Sequence, residues 1–248
     1  MPDIVISHDG PIRKIRMNRP EKKNALTLAM YEAMAETIED AGKSDAVRCL
    51  LIAGAPDVFC AGNDINDFVA MARAGGPGAP IVRFLHALAR CEKPLVAAVS
   101  GAAVGVGATM LLHCDQVIAA DNAVLLTPFV SLGLLPEAGS SLIAPRLMGH
   151  ARAFALLVMG KPLTAQDARA AGIVNAVVTA AELDARALAT AQDIAALPTD
   201  SVTIARRLMR GSAHEIVARI DEEVDAFRAR LASPSAQKAL ASFLARKR

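Results

Sequence analysis

The 248 residues are 53% hydrophobic, which suits one large domain or a domain with an appendage, yet no run of about 18 uninterrupted apolar residues is there to cross a bilayer. The 27 Lys and Arg nearly cancel the 25 Asp and Glu, leaving +2, and aromatic residues make up 3%. Binding driven by phosphate neutralisation or by base stacking is therefore disfavoured, and no nucleic-acid or membrane partner is expected. Cys49, Cys60, Cys91 and Cys114 are scattered without a CxxC pair. They read as core thiols of a reducing compartment, with neither zinc nor disulfides. The N-terminal residues lack a signal-like apolar run and the last three are not Ser-Lys-Leu, so a cytoplasmic location is expected. The excess of Ala, Val and Leu reads as a deep core plus apolar faces for other subunits.

Residues 3–7 and 11–17 alternate in polarity around Asp9-Gly10, the pattern of a β-hairpin. A polar loop follows. Thr27 then caps a helix running to about Gly42, with Met30, Met34, Ile38 and Ala41 as its apolar stripe. Buried strands are predicted at 47–54, 93–101 and 116–121, and a short one at 123–128. Between the first two, 56–68 reads as irregular, 74–80 as an Ala-Gly-Pro loop and 81–91 as a helix. Residues 103–115 begin with glycines and continue as an apolar helix. Further helices are predicted at 139–148, 151–159 and 164–171, and after Pro198 at 199–210, 213–231 and 234–246. Strand–strand–helix units recur without a sequence repeat. The division places a core at 1–195 and a helical oligomerisation region at 196–248.

Gly105 and Gly107 begin a G-x-G, but Met110 stands where a dinucleotide fingerprint needs its third glycine, and no Walker lysine follows. The segment supports two readings: tight helix–strand packing, or a helix start near Val106 whose free N–H groups favour negative charge. Ala61-Gly62-Asn63 is likewise either a plain loop or a turn with exposed amides. Two such amides aimed at one point would make an oxyanion hole. Ser140 and Ser141 lack a nucleophile elbow, the five histidines stand in no catalytic pattern, His113 reads as a satisfied core residue, and no metal spacing occurs. That leaves Glu137, the lone acid in "TPFVSLGLLPEAGSS". It is either an acid/base group or a turn glutamate at a helix start.

The segments "NRPEKKNAL", "FCAGNDINDF", "KPLVAAVSGAAVGVGATMLLHCDQVIAAD", "LLTPFVSLGLLPEAGSSLIAPRLMG" and "GKPLTAQDARAAGIVNAVV", in this order, resemble the crotonase (enoyl-CoA hydratase/isomerase) superfamily over about residues 10–180, and more loosely in the tail. The resemblance implies an α/β fold, a crotonase-like spiral core of ββα units with a helical C-terminal region. It implies homotrimers that often pair into homohexamers. It also implies an acyl-CoA thioester substrate, CoA being part of that substrate and no separate cofactor being needed, whose carbonyl is held by two backbone N–H groups. Carried over, those donors are the amides of Asn63 and Val106. Substrate-binding positions are Lys23, Ala25, Ala61, Gly62, Asn63, Asp64, Ile65 and Gly105, with Phe129 and Leu134 lining the acyl pocket.

The two glutamates of the hydratases would stand at positions held here by Thr109 and Phe129. A threonine hydroxyl is no general base and a phenyl ring positions no water, so hydration is disfavoured. "TPF…LG…PE…SS" is similar to peroxisomal-type Δ3,Δ2-enoyl-CoA isomerases, which implies that Glu137 is the base. Its apolar neighbours are predicted to raise its pKa. Asp64, Asp67 and Asp115 are expected to be a loop hydrogen-bonder, a solvated group and a strand-start cap. The alternatives are hydratase or another crotonase chemistry, and a non-catalytic acyl-CoA-binding protein.

Overall fold

The structure, a computed structural model, describes residues 2–234 and 236–239, without the side chains of 72–74. In chain order it runs β1 (Ile4–Asp9), β2 (Ile12–Met17), α1 (Leu28–Gly42), β3 (Cys49–Ala53), β4 (Val58–Cys60), α2 (Ile65–Ala74) and α3 (Ala79–Arg90). Then come β5 (Leu95–Val99), β6 (Ala102–Val104), α4 (Val106–Thr109), β7 (Gln116–Ala120) and β8 (Val124–Leu126). The remainder is α5 (Ser140–Met148), α6 (His150–Leu157), β9 (Leu163–Thr164), α7 (Ala165–Ala170), β10 (Ala176–Val178), α8 (Leu183–Ala196), α9 (Thr199–Arg210) and α10 (Ala213–Leu231).

A large sheet has the order β1-β2-β3-β5-β7-β10 and a small one β4-β6-β8-β9. Three times a long strand of the large sheet is followed within a few residues by a short strand of the small one: β3 then β4, β5 then β6, β7 then β8. This is the predicted spiral of strand–strand–helix units. Beyond the β1–β2 hairpin the large sheet is parallel. Both its faces are covered, so "CLLIA" and "LVAAV" are buried at every position. Successive residues serve opposite faces. Leu50 and Ile52 join the main core with α1, α3 and α10, while Leu51, Val96 and Ile118 pack on Ala187 and Ala191 of α8. Thr27 Oγ1 accepts from the Met30 N–H (3.3 Å), the expected cap of α1.

Three expectations need correction. Residues 103–115 are not one helix: Ala102–Val104 pair with both neighbouring short strands, α4 lasts a single turn, and a 3-10 turn takes over at Met110–His113. Small side chains let the backbone there enter a sheet. The "irregular" 56–68 contains β4 and the start of α2, whose N-cap is Asp64, its carboxylate accepting from the Asn66 N–H (2.9 Å). Helix α8 fell in a stretch assigned no element, because alanines at 187, 191 and 195 give little polarity contrast. The helices at 199–210 and 213–231 fall where predicted. Of 234–246, residues 234 and 236–239 are helical and the rest lie outside the described residues. No helix among the described residues is long and apolar enough to cross a membrane.

Candidate active site

The two predicted donors sit at the carboxyl ends of neighbouring parallel strands, where open α/β sheets bind ligands. Cys60 of β4 is in register with Ala103 of β6, and Asn63 and Val106 each stand three residues beyond that row. The Leu26 N–H donates to the Gly62 carbonyl and the Asp64 N–H to the Leu26 carbonyl, both at 2.8 Å. Asn63 lies between these bonds, so its own N–H is outside the pairing. Val106 is the first residue of α4, and a first-turn N–H has no acceptor within its helix. Among the described residues neither N–H meets an acceptor.

Glycine lets the two turns touch. A Cβ on Gly107 would lie 2.8 Å from both the Cβ and the carbonyl oxygen of Cys60, and one on Gly62, at φ +89°, would lie 3.1 Å from the Val104 carbonyl. The Asn63 side chain is held as well. The Tyr31 hydroxyl donates to its Oδ1 at 2.6 Å. Tyr31 is 1% exposed and packs edge-on against Phe84 with ring centroids 5.4 Å apart. Burial, then the nearby Glu137 and Cys60, push its pKa well above the ordinary value, which keeps the hydroxyl a donor. Sequence reading passed over Tyr31, although a lone tyrosine between Met30 and Met34 of an apolar stripe is a usable signal.

Glu137 is joined to the Val106 turn through Thr109. Its residue as a whole is half-buried, but its carboxyl lies inside: Thr109 Oγ1, on a residue 1% exposed, donates to Oε1 at 2.5 Å. Thr109 follows Val106 by three positions, so the two share a face of α4. The same hydroxyl also lies 3.3 Å from the Gly105 carbonyl. Desolvation pushes the Glu137 pKa up to about 8, with the charge of Glu223 adding and the Thr109 hydrogen bond opposing. The rise matches the expectation for an acid among apolar neighbours.

The remaining predicted residues gather around these. Phe129 and Leu134 are 7% and 4% exposed, and the Leu134 N–H donates to the Phe129 carbonyl (2.9 Å). A Cβ on Gly105 would lie 3.9 Å from the Phe129 ring. The carbonyl of exposed Lys23 accepts from the Ala61 N–H (3.0 Å), joining the loop around Lys23–Ala25 to the stretch Ala61–Ile65. Ala25 and Ile65 are half-buried. Asp64 is committed structurally, pairing with Arg19 at 2.8 Å besides capping α2. Asp67 is half-buried and accepts from the Leu28 N–H (2.8 Å), so it caps α1 and is not merely solvated. Asp115 does hold a strand start, accepting from the Leu95 N–H (2.8 Å), and it also pairs with Arg206. His113 is satisfied at Nε2 alone; its Nδ1 is buried without a partner among the described residues.

A cavity of about 760 Å³ lies elsewhere, between α1, α3 and α10, lined by Ile38, Val82, Arg83, His86 and Arg228 among others, and it contains none of these residues. Cavity size therefore does not mark these residues; what sets them apart is two unpaired amides on touching turns and a desolvated carboxyl bonded to Thr109, one turn beyond Val106.

The enoyl-CoA hydratase/isomerase family model matches residues 8–248. The chain is similar to enoyl-CoA delta isomerase 2 of Rattus norvegicus, 37% identical over 250 residues that make up 98% of this chain and 64% of the rat protein. It thus spans less than two-thirds of that relative. It is also similar to 1,2-epoxyphenylacetyl-CoA isomerase of Escherichia coli (strain K12), 32% identical over 255 residues, covering 100% of this chain and 97% of the relative. The solved structure of Pseudomonas aeruginosa OdaA superposes with a TM-score of 0.93 at 41% identity, covering 98% of this chain and 99% of that one. The chain belongs to the enoyl-CoA hydratase/isomerase family, the crotonases, and is an enzyme of that family.

Proposed function

We propose that the chain is a Δ3,Δ2-enoyl-CoA isomerase that shifts a double bond in an acyl-CoA thioester. Glu137 removes a proton from C2, which is acidified by both the thioester carbonyl and the double bond. The resulting dienolate gathers charge on the thioester oxygen, and the Asn63 and Val106 amides receive it. Protonated Glu137 then returns the proton to C4. No water enters the balance, and Phe129 and Leu134 keep water from the dienolate. CoA lies along Lys23–Ala25 and Ala61–Ile65, mostly on main-chain groups, and no separate cofactor takes part.

The observation that carries this reading is the carboxyl of Glu137 bonded to Thr109, one helical turn after the Val106 amide. A base with a pKa of about 8 suits abstraction from carbon near neutral pH. Threonine at 109 leaves no second carboxylate there to bind and split water, which speaks against hydration. The full-length similarity to an epoxyphenylacetyl-CoA isomerase favours a second reading, another thioester isomerisation run by the same base. Incubation with 3-hexenoyl-CoA, 2-hexenoyl-CoA and a 1,2-epoxyphenylacetyl thioester separates them. The expected outcome is 3-to-2 isomerisation without hydration, lowered about 10³-fold in Glu137→Gln. Undiminished turnover in that variant removes the base.

A homotrimer or homohexamer and a cytoplasmic location belong to the same proposal. Helix α9 supports association. It turns Arg206 inward, to Asp115 and the Cys91 carbonyl, and leaves Leu208 and Met209 74% and 87% exposed. A monomer in light scattering would count against it.

A further inference from the structure

Glu137 is presented by a turn whose next two residues, Ala138 at φ +63° and Gly139 at φ +68°, both lie in the left-handed region. Glycine adopts that region freely; alanine, with its Cβ against the following carbonyl, does not. Such a conformation persists where the surroundings over-determine it. Two distant groups do so. His113 donates from Nε2 to the Ala138 carbonyl at 2.7 Å, a direction fixed because a carbonyl can only accept. Glu223, on α10, accepts from the Gly139 N–H (2.6 Å), the Ser141 N–H (3.0 Å) and Ser141 Oγ (2.5 Å). Glu223 is 7% exposed. All three of these bonds are spent on residues 139–141.

The geometry points to Glu223 as a positioning residue for Glu137: by locking the left-handed turn at Ala138 and Gly139, it lets α10 set where the base stands relative to Thr109 and the Val106 amide. This rests on the reading of Glu137 as the base. The competing account is a plain helix cap, since α5 has no side-chain cap of its own and carboxylates suit helix N-termini. The accounts differ over the base. The negative charge of Glu223 disfavours ionisation of Glu137, so removing it lets Glu137 ionise at lower pH. That shift follows from the charge under either account, but a cap acting on stability alone leaves kcat of the folded protein where it was, and a clamp on the base does not. The other groups facing the pair do not compete. Thr109 donates to Glu137, Tyr31 and Cys60 are buried with raised pKa values, His113 is held neutral by burial, and Arg219 faces Glu223.

The test is steady-state kinetics of the full chain on 3-hexenoyl-CoA across pH. Gln at 223 carries one acceptor oxygen and an amide that cannot accept, so it keeps only part of the clamp. Glu223→Gln should lower kcat by about 10²-fold, as a misplaced reacting group does. KM should change little, and the acid limb of kcat/KM should move to lower pH. Glu223→Asp, which keeps the charge, should recover part of kcat with the acid limb in its original place. Wild-type kcat in a folded Glu223→Gln overturns the positioning role, whether or not the acid limb moves. Should that variant not fold, Ser141→Ala removes one of the three hydrogen bonds and keeps the charge. A several-fold loss of kcat then supports the clamp, and an unchanged kcat overturns it. Glu137→Gln run alongside separates the two readings. Full turnover there refutes the base and the clamp with it, whereas its loss beside a wild-type-like Glu223→Gln refutes the clamp alone.

Discussion

The two sides of the candidate site are built by different means. The amide side, Ala61–Asp64 and Gly105–Val106, is an extension of sheet register: two parallel strands end together and glycines let their turns touch. The carboxyl side has no such frame. Its turn is held by His113 and by a carboxylate on α10, the Gly139–Glu223 bond spanning 84 positions of chain. The contrast teaches that main-chain donors can be fixed by short-range geometry, whereas the turn that carries the Glu137 carboxyl is held from a distant helix. Damage to the first should be steric and local; damage to the second should travel.

Four experiments probe that contrast, the first three ordered from the largest effect to the smallest. Gly107→Ala inserts a Cβ against the Cys60 backbone, which cannot yield as a flexible side chain would. It should cost about 2 kcal/mol of stability by overpacking. It should also lower kcat by about 10²-fold, the loss typical of one misplaced oxyanion donor, as denaturant melts and turnover would register. Tyr31→Phe removes the hydroxyl from Asn63 Oδ1 and takes one hydrogen bond from that half-buried side chain. A stability loss of about 1 kcal/mol is expected in the same melts, with a fall in turnover well below that of Gly107→Ala. Thr109→Val strips a donor from ionised Glu137, so its pKa rises further and the acid limb of kcat/KM moves to higher pH. Fold and KM should hardly change.

The fourth experiment reads stability against pH and stands outside the ordering by turnover. A carboxyl whose folded pKa lies near 8, above its unfolded value of 4.5, binds protons more tightly when folded. Its contribution is fully present below pH 4.5 and is lost as pH rises toward 8. Glu137→Gln should therefore leave Tm nearly unchanged at pH 4 and raise it above pH 8, by about 2–4 °C for each kcal/mol recovered. Equal Tm differences at both pH values would mean that the carboxyl is not desolvated.

The glycine turns of the amide side were legible in the sequence, but β4 and β6, the short strands that carry them, were not. "CLLIA" and "LVAAV" announce the buried strands β3 and β5 that come before, and the glycines further on mark the turns. Glu137 drew notice as a charge in an apolar run. What the sequence hid was of two kinds. Alanine-rich α8 and the strand at Ala102–Val104 lack the polarity contrast on which periodicity depends. Glu223 looks like one more acid on an amphipathic helix, flanked by Glu222 and Asp225. Only its three-dimensional partners set it apart, and no local pattern encodes a hydrogen bond to a residue 84 positions away.

The Thr109 hydroxyl has one hydrogen and two acceptors within reach, the Gly105 carbonyl and Glu137. When the carboxylate takes up a proton, the new acid can donate to Oγ1 while the hydroxyl hydrogen swings to the carbonyl. In the proposed cycle both halves then keep the acid solvated by the same oxygen, and no heavy atom has to travel. A rotating hydroxyl thus performs, at a fixed place, the reorganisation that bulk water would otherwise have to supply.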